Sequence, residues 1–241
     1  MNGFQLHNLK HSSASSVNTW IGSKEKWVRQ KLFKEPFFSN PAMERGKAVE
    51  SAAMDILCGL PTEDSLTRAI RKYNKATLMN NSPHVDPERL NIEPMVKQAV
   101  HALRDYGVPD VLPNGEQHKI TINCVTPEWT LPVIGYLDTV YHKNKFVIDF
   151  KSTTKLPENM SADHRRQSSI YQLAMPDYDV VFLYISVDGT VTFPSENVPE
   201  TMAQIKEALI EQEAFLSSSP DKNVLLAAVA KEVIADAQNN Q

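Results

Sequence analysis

Residues 135–151 read GYLDTVYHKNKFVIDFK, two apolar runs joined by a short polar turn. Side chains of a strand alternate between its faces, which predicts one face with Val147, Asp149 and Lys151 and another with Phe146, Ile148 and Phe150. A hairpin of the two runs would bring Asp138 towards Asp149 and Lys151. Two carboxylates so close in apolar surroundings repel each other unless a cation lies between them. The pattern predicts a divalent metal site beside a lysine; the alternative is a surface hairpin with an Asp149–Lys151 contact.

The size and composition of the chain indicate a globular protein with a substantial core. It has 241 residues, 41% of them hydrophobic, and both helical and strand-like patterns, which predicts an α/β (α+β) fold. Two cysteines without metal-ligand spacing argue against a disulfide scaffold, a zinc finger or an iron–sulfur cluster. The formal net charge of −4 gives no general attraction to nucleic acid, but it allows a local basic groove. With no signal-like or membrane-spanning apolar segment, we expect a cytoplasmic protein without a membrane partner.

Helices are predicted at both ends of the chain, with strands between them. The predicted helices are 12–33, 41–60, 62–77, 87–106, 161–175, 199–216 and 222–237. The predicted strands are 117–125, 131–142 and 145–151, consecutive and antiparallel, and 180–187 and 190–193, a hairpin around Asp188-Gly189. We expect one domain over 1–241, with a helical N-terminal part at about 12–106, a sheet core at about 116–194 and C-terminal helices at about 199–237.

The helix predicted over 41–60 carries an acidic residue on its apolar face. The helical period groups Glu50 with Gly46, Met43, Ala53, Met54 and Leu57, and it places Lys47, Glu44, Ser51 and Asp55 on the other side. An unpaired carboxylate there is unfavourable, so a cation or a strong donor is expected to meet Glu50. Gly46 would let a backbone or a substrate approach closely. The alternative is a core glutamate paired with an arginine, although Arg45 is predicted to face away from it.

The helix predicted over 161–175 carries polar residues with helical spacing. Gln167 and Tyr171 are one turn apart and His164 borders their face, so the first two can bind a phosphate or orient an active-site group. Arg165 and Arg166 can bind the backbone of a nucleic acid. The alternative is that Tyr171 belongs to the core and the arginines are solvated charges.

Four motifs follow one another in a recognisable order. They are Gly46-x-x-x-Glu50 on a helix, Asp138 on a strand, Asp149-Phe-Lys151 on the next strand and Gln167-x-x-x-Tyr171 on a helix. This order resembles the PD-(D/E)XK nuclease superfamily, and within it the RecB-like branch with its phage (lambda-type) exonucleases. The resemblance covers about 12–187 and includes a serine-led opening helix at 13–20. Asp138 follows Gly-Tyr-Leu rather than the proline of the family's name, and Glu50 stands where many members carry histidine.

The resemblance implies a restriction-endonuclease-like core, a central mixed β-sheet flanked by helices, with Mg²⁺ or Mn²⁺ as cofactor. It makes Asp138, Asp149 and the backbone carbonyl of Phe150 metal ligands, with Glu50 a ligand directly or through water. Lys151 would orient the attacking water or help to deprotonate it. The substrate-binding residues that we expect are Gln167, Tyr171, Ser152, Arg45, Arg165 and Arg166.

The resemblance implies a metal-dependent DNA exonuclease in phage-type recombination, repair or DNA degradation. The chain has no visible recognition domain, and its size suits a stand-alone enzyme that processes DNA ends. The alternatives are a structure- or sequence-specific endonuclease and a non-catalytic nucleic-acid-binding module of the same fold. Expected partners are DNA, a single-strand annealing or recombination protein, and further copies of this chain in a homo-oligomer; a phage protein would act in the host-cell cytoplasm. Candidates for gripping the DNA backbone or a terminal phosphate are Lys24, Lys26, Arg29, Arg45, Arg165 and Arg166, at least half of them expected to be plain surface charges.

Overall fold

The computed structural model describes residues 2–112, 117–123 and 130–239, with side chains described as far as residue 231. Mixed β-sheets flanked by helices make this an α+β fold, which confirms the predicted fold class. Among the described residues, no helix is both long enough and apolar enough to cross a membrane.

Helices dominate the part of the chain before residue 107. They are α1 Gly3–Leu6, α2 Ala14–Gly22, α3 Lys24–Leu32, α4 Pro41–Leu57, α5 Thr62–Thr77, α6 Val85–Leu90 and α7 Ile92–Leu103, followed by the 3₁₀ turn Arg104–Tyr106. Three more helices follow later: α8 Ala162–Ala174, α9 Val198–Ser217 and α10 Lys222–Asn239. The start of α4 is encoded locally, because the Asn40 side chain accepts the Met43 N–H at 2.9 Å and Pro41 occupies the first turn.

The described strands form two mixed sheets. In the first, β3 Val133–Leu137 lies between β1 Ser12–Ser13, its parallel neighbour, and β2 His118–Ile122, its antiparallel neighbour. The second has the order β4 Thr139–Tyr141, β5 Phe146–Ser152, β6 Asp179–Ile185 and β7 Thr190–Pro194. Strands β5 and β6 are parallel, and α8 makes the crossover that such a pair requires.

Strand β5 separates two parts of the hydrophobic core. Val147 packs in a cluster with Val180 and Phe182, which α2, α8 and α9 cover. Ile148 and Phe150 pack in the other cluster, under α4, α5 and α7. This division confirms the alternation predicted for 145–151 and leaves Asp149 on the same face as Val147.

The predicted strand 131–142 is interrupted at Asp138, so β3 and β4 belong to different sheets. The Asp138 carboxylate supplies the physical reason. Its Oδ2 accepts the Phe150 N–H at 3.0 Å and so takes the place of the next backbone acceptor in the β4–β5 ladder. The break therefore turns an expected strand residue into a side chain aimed at β5.

Other predicted elements are confirmed in type, and several of them differ in length. The helix 62–77 and the hairpin around Asp188-Gly189 are confirmed. The predicted helix 12–33 is divided because Ser23 is extended and caps α3, and the predicted helix 87–106 is divided at Asn91. Helix α4 ends at Leu57, before Gly59 at φ +90°. The predicted strand 117–125 is observed over His118–Ile122, and its residues 124–125 lie outside the described ranges.

Candidate functional site

Two aspartates meet where the two sheets adjoin. Thr139 pairs with Ile148, so Asp138 and Asp149 are the next residues along the same antiparallel pair. Asp149 is 1% exposed, and its Oδ1 accepts a hydrogen bond from the Gln167 amide at 3.1 Å. The hairpin thus brings the two aspartates together, as predicted.

Lys151 stands beside these carboxylates on the same strand face. Its ammonium pairs with Asp149 Oδ2 and lies 5.0 Å from the centre of the Phe182 ring. Asp149 Oδ2 accepts no hydrogen bond of normal geometry from the described residues. A cation over an aromatic face and next to a buried carboxylate is held firmly in place.

The side chain of Gln117 connects Glu50, on helix α4, to Asp138. The side-chain amide of Gln117, just before β2, donates to Glu50 Oε1 at 3.0 Å and to Asp138 Oδ1 at 2.9 Å. Glu50 is therefore met by a hydrogen-bond donor, one of the two partners that its sequence position predicts. The sequence does not predict a role for Gln117, because its partners are 67 and 21 residues away and no local pattern marks it.

The apolar face predicted for α4 is wrong in detail. Its buried residues include Glu44, Arg45, Ala48, Val49 and Ala52, whereas Met43 is 41% exposed. The helix packs against α5 and α7 as well as β5, so small alanines form its core side, and Glu50 lies at the edge of that side. The close approach predicted at Gly46 is present, since an added Cβ would lie 3.0 Å from Ser152 Oγ.

Helix α8 supplies the predicted polar pair. The Gln167 amide also donates to the Tyr171 hydroxyl at 2.7 Å, and that hydroxyl donates to the Tyr136 carbonyl at 2.8 Å. Gly135 permits this approach, because an added Cβ would lie 2.7 Å from a ring carbon of Tyr171. A glycine within a strand is the sequence signal that marks such a contact. The buried Tyr171 ring also packs in the core, so the alternative stated for it is partly correct.

Burial raises the pKa of all three carboxylates, and neighbouring carboxylates add to the shift at two of them. Burial raises the pKa of Asp138 well above its usual value, and the charges of Asp149 and Glu50 add to the effect. Burial and the Asp149 charge raise the pKa of Glu50, and burial raises that of Asp149. Burial alone would lower the pKa of Lys151, but Asp149 and Asp138 reverse this and raise it. The site therefore holds a firmly protonated lysine among carboxylates that lack enough positive charge.

His164 borders the same site but stays neutral. Burial, and then the charge of Lys151, lower the pKa of its imidazole to about 4. Its Nδ1 is hydrogen-bonded to the Tyr184 hydroxyl. Near neutral pH this histidine therefore adds no positive charge to the carboxylate cluster.

A cleft of about 1070 Å³ is lined by the predicted acidic and basic residues and by three residues of α8: Glu50, Asp138, Asp149, Lys151, His164, Gln167 and Tyr171. The N-terminal helices line another part of the cleft, mostly with small polar side chains and one lysine: Ser13, Ser15, Asn18, Thr19, Ser23 and Lys26. Ser13 caps α2 and Ser23 caps α3, so the start of each helix faces the cleft. Phe150, whose carbonyl is a predicted metal ligand, lines the cleft between Asp149 and Lys151.

The prediction that Arg45 and Arg166 bind the substrate is wrong, because both side chains are buried. Arg45 is 3% exposed, pairs with Glu88, and donates to Ser152 Oγ at 3.2 Å. Arg166 is 7% exposed and donates to Asn18 and Asp163. Both guanidinium groups bind partners inside the protein, because a buried charge requires a partner there.

The other basic residues lie on the surface. Arg29 pairs with Glu25 and Glu35, and Lys24 pairs with Glu211. Lys26 and Arg165 are exposed, and Lys26 lines the cleft. Of the six basic candidates, these two are the best placed for contact with a polyanion.

The donor set suits a hard divalent cation, which prefers carboxylate and carbonyl oxygens. Among the described residues, no three His, Cys, Asp or Glu side chains stand in a ready metal-binding arrangement. Instead Gln117 holds Glu50 and Asp138, and Lys151 holds Asp149. Burial is the main cause of the raised pKa values of these three carboxylates, and repulsion by neighbouring carboxylates adds to it at Asp138 and Glu50; a bound cation would favour the ionised form of each.

Comparison with known proteins adds little to this geometry. No family model and no curated protein matches the chain. The crystal structure of SSO0001 is similar over 70% of this chain and 85% of its own chain, with 12% identical residues and a TM-score of 0.39. A likeness at this level carries no argument about function, so the functional interpretation depends on the site itself.

Proposed function

We propose that this protein is a Mg²⁺- or Mn²⁺-dependent deoxyribonuclease that hydrolyses phosphodiester bonds from DNA ends. The observation that supports it most is the convergence of Glu50, Asp138, Asp149 and Lys151 in one cleft. Three carboxylates against one ammonium form an acidic site, which by itself repels a phosphate. Hydrolysis of a phosphodiester there requires a cation to reverse that charge.

The residues present have distinct parts in this proposal. Asp138, Asp149 and Glu50 would hold the cation with the Phe150 carbonyl. A cation at such a site supplies Lewis acidity and lowers the pKa of bound water. The Lys151 ammonium, fixed against Asp149, would orient the attacking water and favour its hydroxide form.

Helix α8 would keep this arrangement in place. The Gln167 amide contacts both Asp149 and the Tyr171 hydroxyl, and that hydroxyl is fixed in turn by the Tyr136 carbonyl. This chain of hydrogen bonds restricts the Asp149 carboxylate to one orientation, which an orienting residue must do. Gln167 and Tyr171 also line the cleft, on the side where a substrate would lie.

The part of the cleft lined by the N-terminal helices suits a DNA strand. Its hydroxyl and amide groups can hydrogen-bond phosphate oxygens without reading a base sequence, and Lys26 adds charge. This favours backbone contact over sequence recognition, and thus an exonuclease over a sequence-specific endonuclease. A single-strand annealing or recombination protein as partner stays a prediction.

The test is digestion of an end-labelled linear duplex, with and without a 5′-phosphate, beside a covalently closed circle. We expect loss of the linear duplex with Mg²⁺, none with EDTA, and an intact circle. Nicking of the circle would identify an endonuclease with the same centre. DNA binding without cleavage in Mg²⁺ or Mn²⁺ would identify the non-catalytic alternative and contradict the proposal.

A further inference from the structure

Gln117 occupies a notable position among the carboxylates. It is exposed, it precedes β2, and its one amide group contacts both Glu50 and Asp138. These are two of the three carboxylates of the candidate metal centre. A single neutral side chain therefore joins helix α4 to the break between β3 and β4.

The chemistry of the contact determines which end of the amide is involved. A primary amide carries two N–H donors on nitrogen and only acceptors on oxygen. Two carboxylates at 2.9 and 3.0 Å accept hydrogen bonds from the nitrogen, whereas the oxygen would be repelled by both. The positive end of the amide dipole thus lies between two negative groups, where a cation would bind.

We propose that Gln117 is a placeholder for the divalent cation. Without the cation, its amide holds Glu50 and Asp138 together and partly offsets their repulsion. When the cation binds, the same carboxylate oxygens turn to it, and the exposed Gln117 side chain moves into solvent. This inference rests on the proposed metal centre.

A placeholder changes the apparent affinity for the cation in one direction only. An interaction that exists only in the cation-free protein stabilises that state, and so it weakens the apparent affinity for the cation. Removing it should destabilise the cation-free protein and leave the cation-bound protein unchanged. A residue that ligates the cation, or merely supports the fold, would have a different signature.

The experiment compares Gln117→Ala with the wild type by calorimetric titration with Mg²⁺ and with Ca²⁺, and by thermal unfolding with and without each cation. We expect the variant to melt at a lower temperature than the wild type without cation, and at the same temperature when the cation is saturating. We also expect it to bind Mg²⁺ about threefold to tenfold more tightly. Gln98→Ala is the matched control. Gln98 donates to the Val187 carbonyl at 3.4 Å, which is not part of the candidate metal centre, so its removal should leave cation affinity unchanged.

Each result has one meaning. Weaker Mg²⁺ binding in Gln117→Ala would make Gln117 a ligand or a support for one, and unchanged binding would make its contacts incidental; either overturns the placeholder. Absence of Mg²⁺ and Ca²⁺ binding in the wild type would instead overturn the metal centre on which the inference rests.

Discussion

Two charged clusters share helix α4, and they differ in how their charges balance. Around Arg45, one guanidinium meets one carboxylate, that of Glu88, with Ser152 as a further acceptor. Around Glu50, three carboxylates of the described residues meet one ammonium and two neutral amides, those of Gln117 and Gln167. The first cluster is electrically neutral without a ligand, whereas the second carries an excess of two negative charges when all its carboxylates are ionised. Charge balance, rather than burial or motif, distinguishes a structural ion pair from a candidate site.

The largest expected effect is on catalysis, at the unbalanced cluster. Asp149→Asn and Asp138→Asn each keep the shape of a proposed ligand and lose its charge. We expect cleavage of linear duplex at saturating Mg²⁺ to fall below a few per cent of the wild type, with the fold retained by circular dichroism. Higher residual activity in either variant would remove that residue from the metal centre.

Breaking the balanced cluster of Arg45 and Glu88 should lower the free energy of unfolding. Glu88→Gln leaves the Arg45 guanidinium buried without its carboxylate, which typically costs about 3–5 kcal/mol. We expect a clear fall in the free energy of unfolding in urea, with no change in the Mg²⁺ concentration for half-maximal cleavage. An unchanged stability together with weaker DNA binding would return Arg45 to the substrate-binding residues.

Glu50 should affect cation use more than folding. Glu50→Gln keeps an acceptor but removes a charge, so we expect the Mg²⁺ midpoint of cleavage to rise by about tenfold. Glu44→Gln is the matched control on the same helix, since the Glu44 carboxylate pairs with Lys47 and does not line the cleft. A normal midpoint with a collapsed melting temperature in Glu50→Gln would identify Glu50 as a structural residue.

The pH dependence of stability offers a smaller effect with a definite sign. The pKa of Asp138 is raised in the folded protein, so in cation-free buffer its ionisation destabilises the fold as pH rises from the ordinary aspartate value through the raised one. Asp138→Asn lacks that ionisation. We therefore expect the variant's melting temperature relative to the wild type to increase between pH 5 and pH 8.

His164 makes an opposite contribution, because its lowered pKa stabilises the fold as pH rises. Both proteins contain His164, so the difference between their melting temperatures cancels this contribution. Saturating Mg²⁺ should raise the melting temperature of the wild type more than that of Asp138→Asn, because only the wild type retains the full ligand set. A difference that stays constant with pH would show that Asp138 is not under electrostatic strain.

The smallest effect concerns two exposed basic residues, Lys26 on the cleft wall and Arg165 elsewhere on the surface. Lys26→Ala and Arg165→Ala remove exposed charges. Where the side chain binds a DNA phosphate, its removal should reduce the slope of log affinity against log salt by about one unit. Arg29→Ala is the control, because Arg29 is already paired with Glu25 and Glu35. A uniform slope across all three variants would place the DNA elsewhere.

Local patterns predicted those parts of the structure that local contacts determine. Alternation in 145–151 gave the correct faces of β5, and the spacing of the hairpin brought Asp138 to Asp149. The helix 62–77 has its predicted bounds, set by Pro61 before it and acidic residues in its first turn. Such features depend on neighbours in sequence, so periodicity and turn chemistry suffice to find them.

The failures arise from partners that are distant in sequence. Arginine is usually exposed, which favours a surface position for Arg45, but Glu88 from α6 neutralises it within the core. Arg166 is buried against Asn18, 148 residues away. Gln117 contacts Glu50 across 67 residues, so only the fold reveals it. Polar residues with remote partners are the part of the site that periodicity does not encode.

The most direct test of the central claim is calorimetric titration of the wild type, Asp149→Asn and Glu88→Gln with Mg²⁺ at neutral pH. The unbalanced cluster should make the wild type and Glu88→Gln bind Mg²⁺ saturably with similar affinity, while Asp149→Asn loses most of that binding. Failure of the folded wild type to bind Mg²⁺ at millimolar concentration, or equal binding by Asp149→Asn, would contradict the assignment of this cluster as a metal centre.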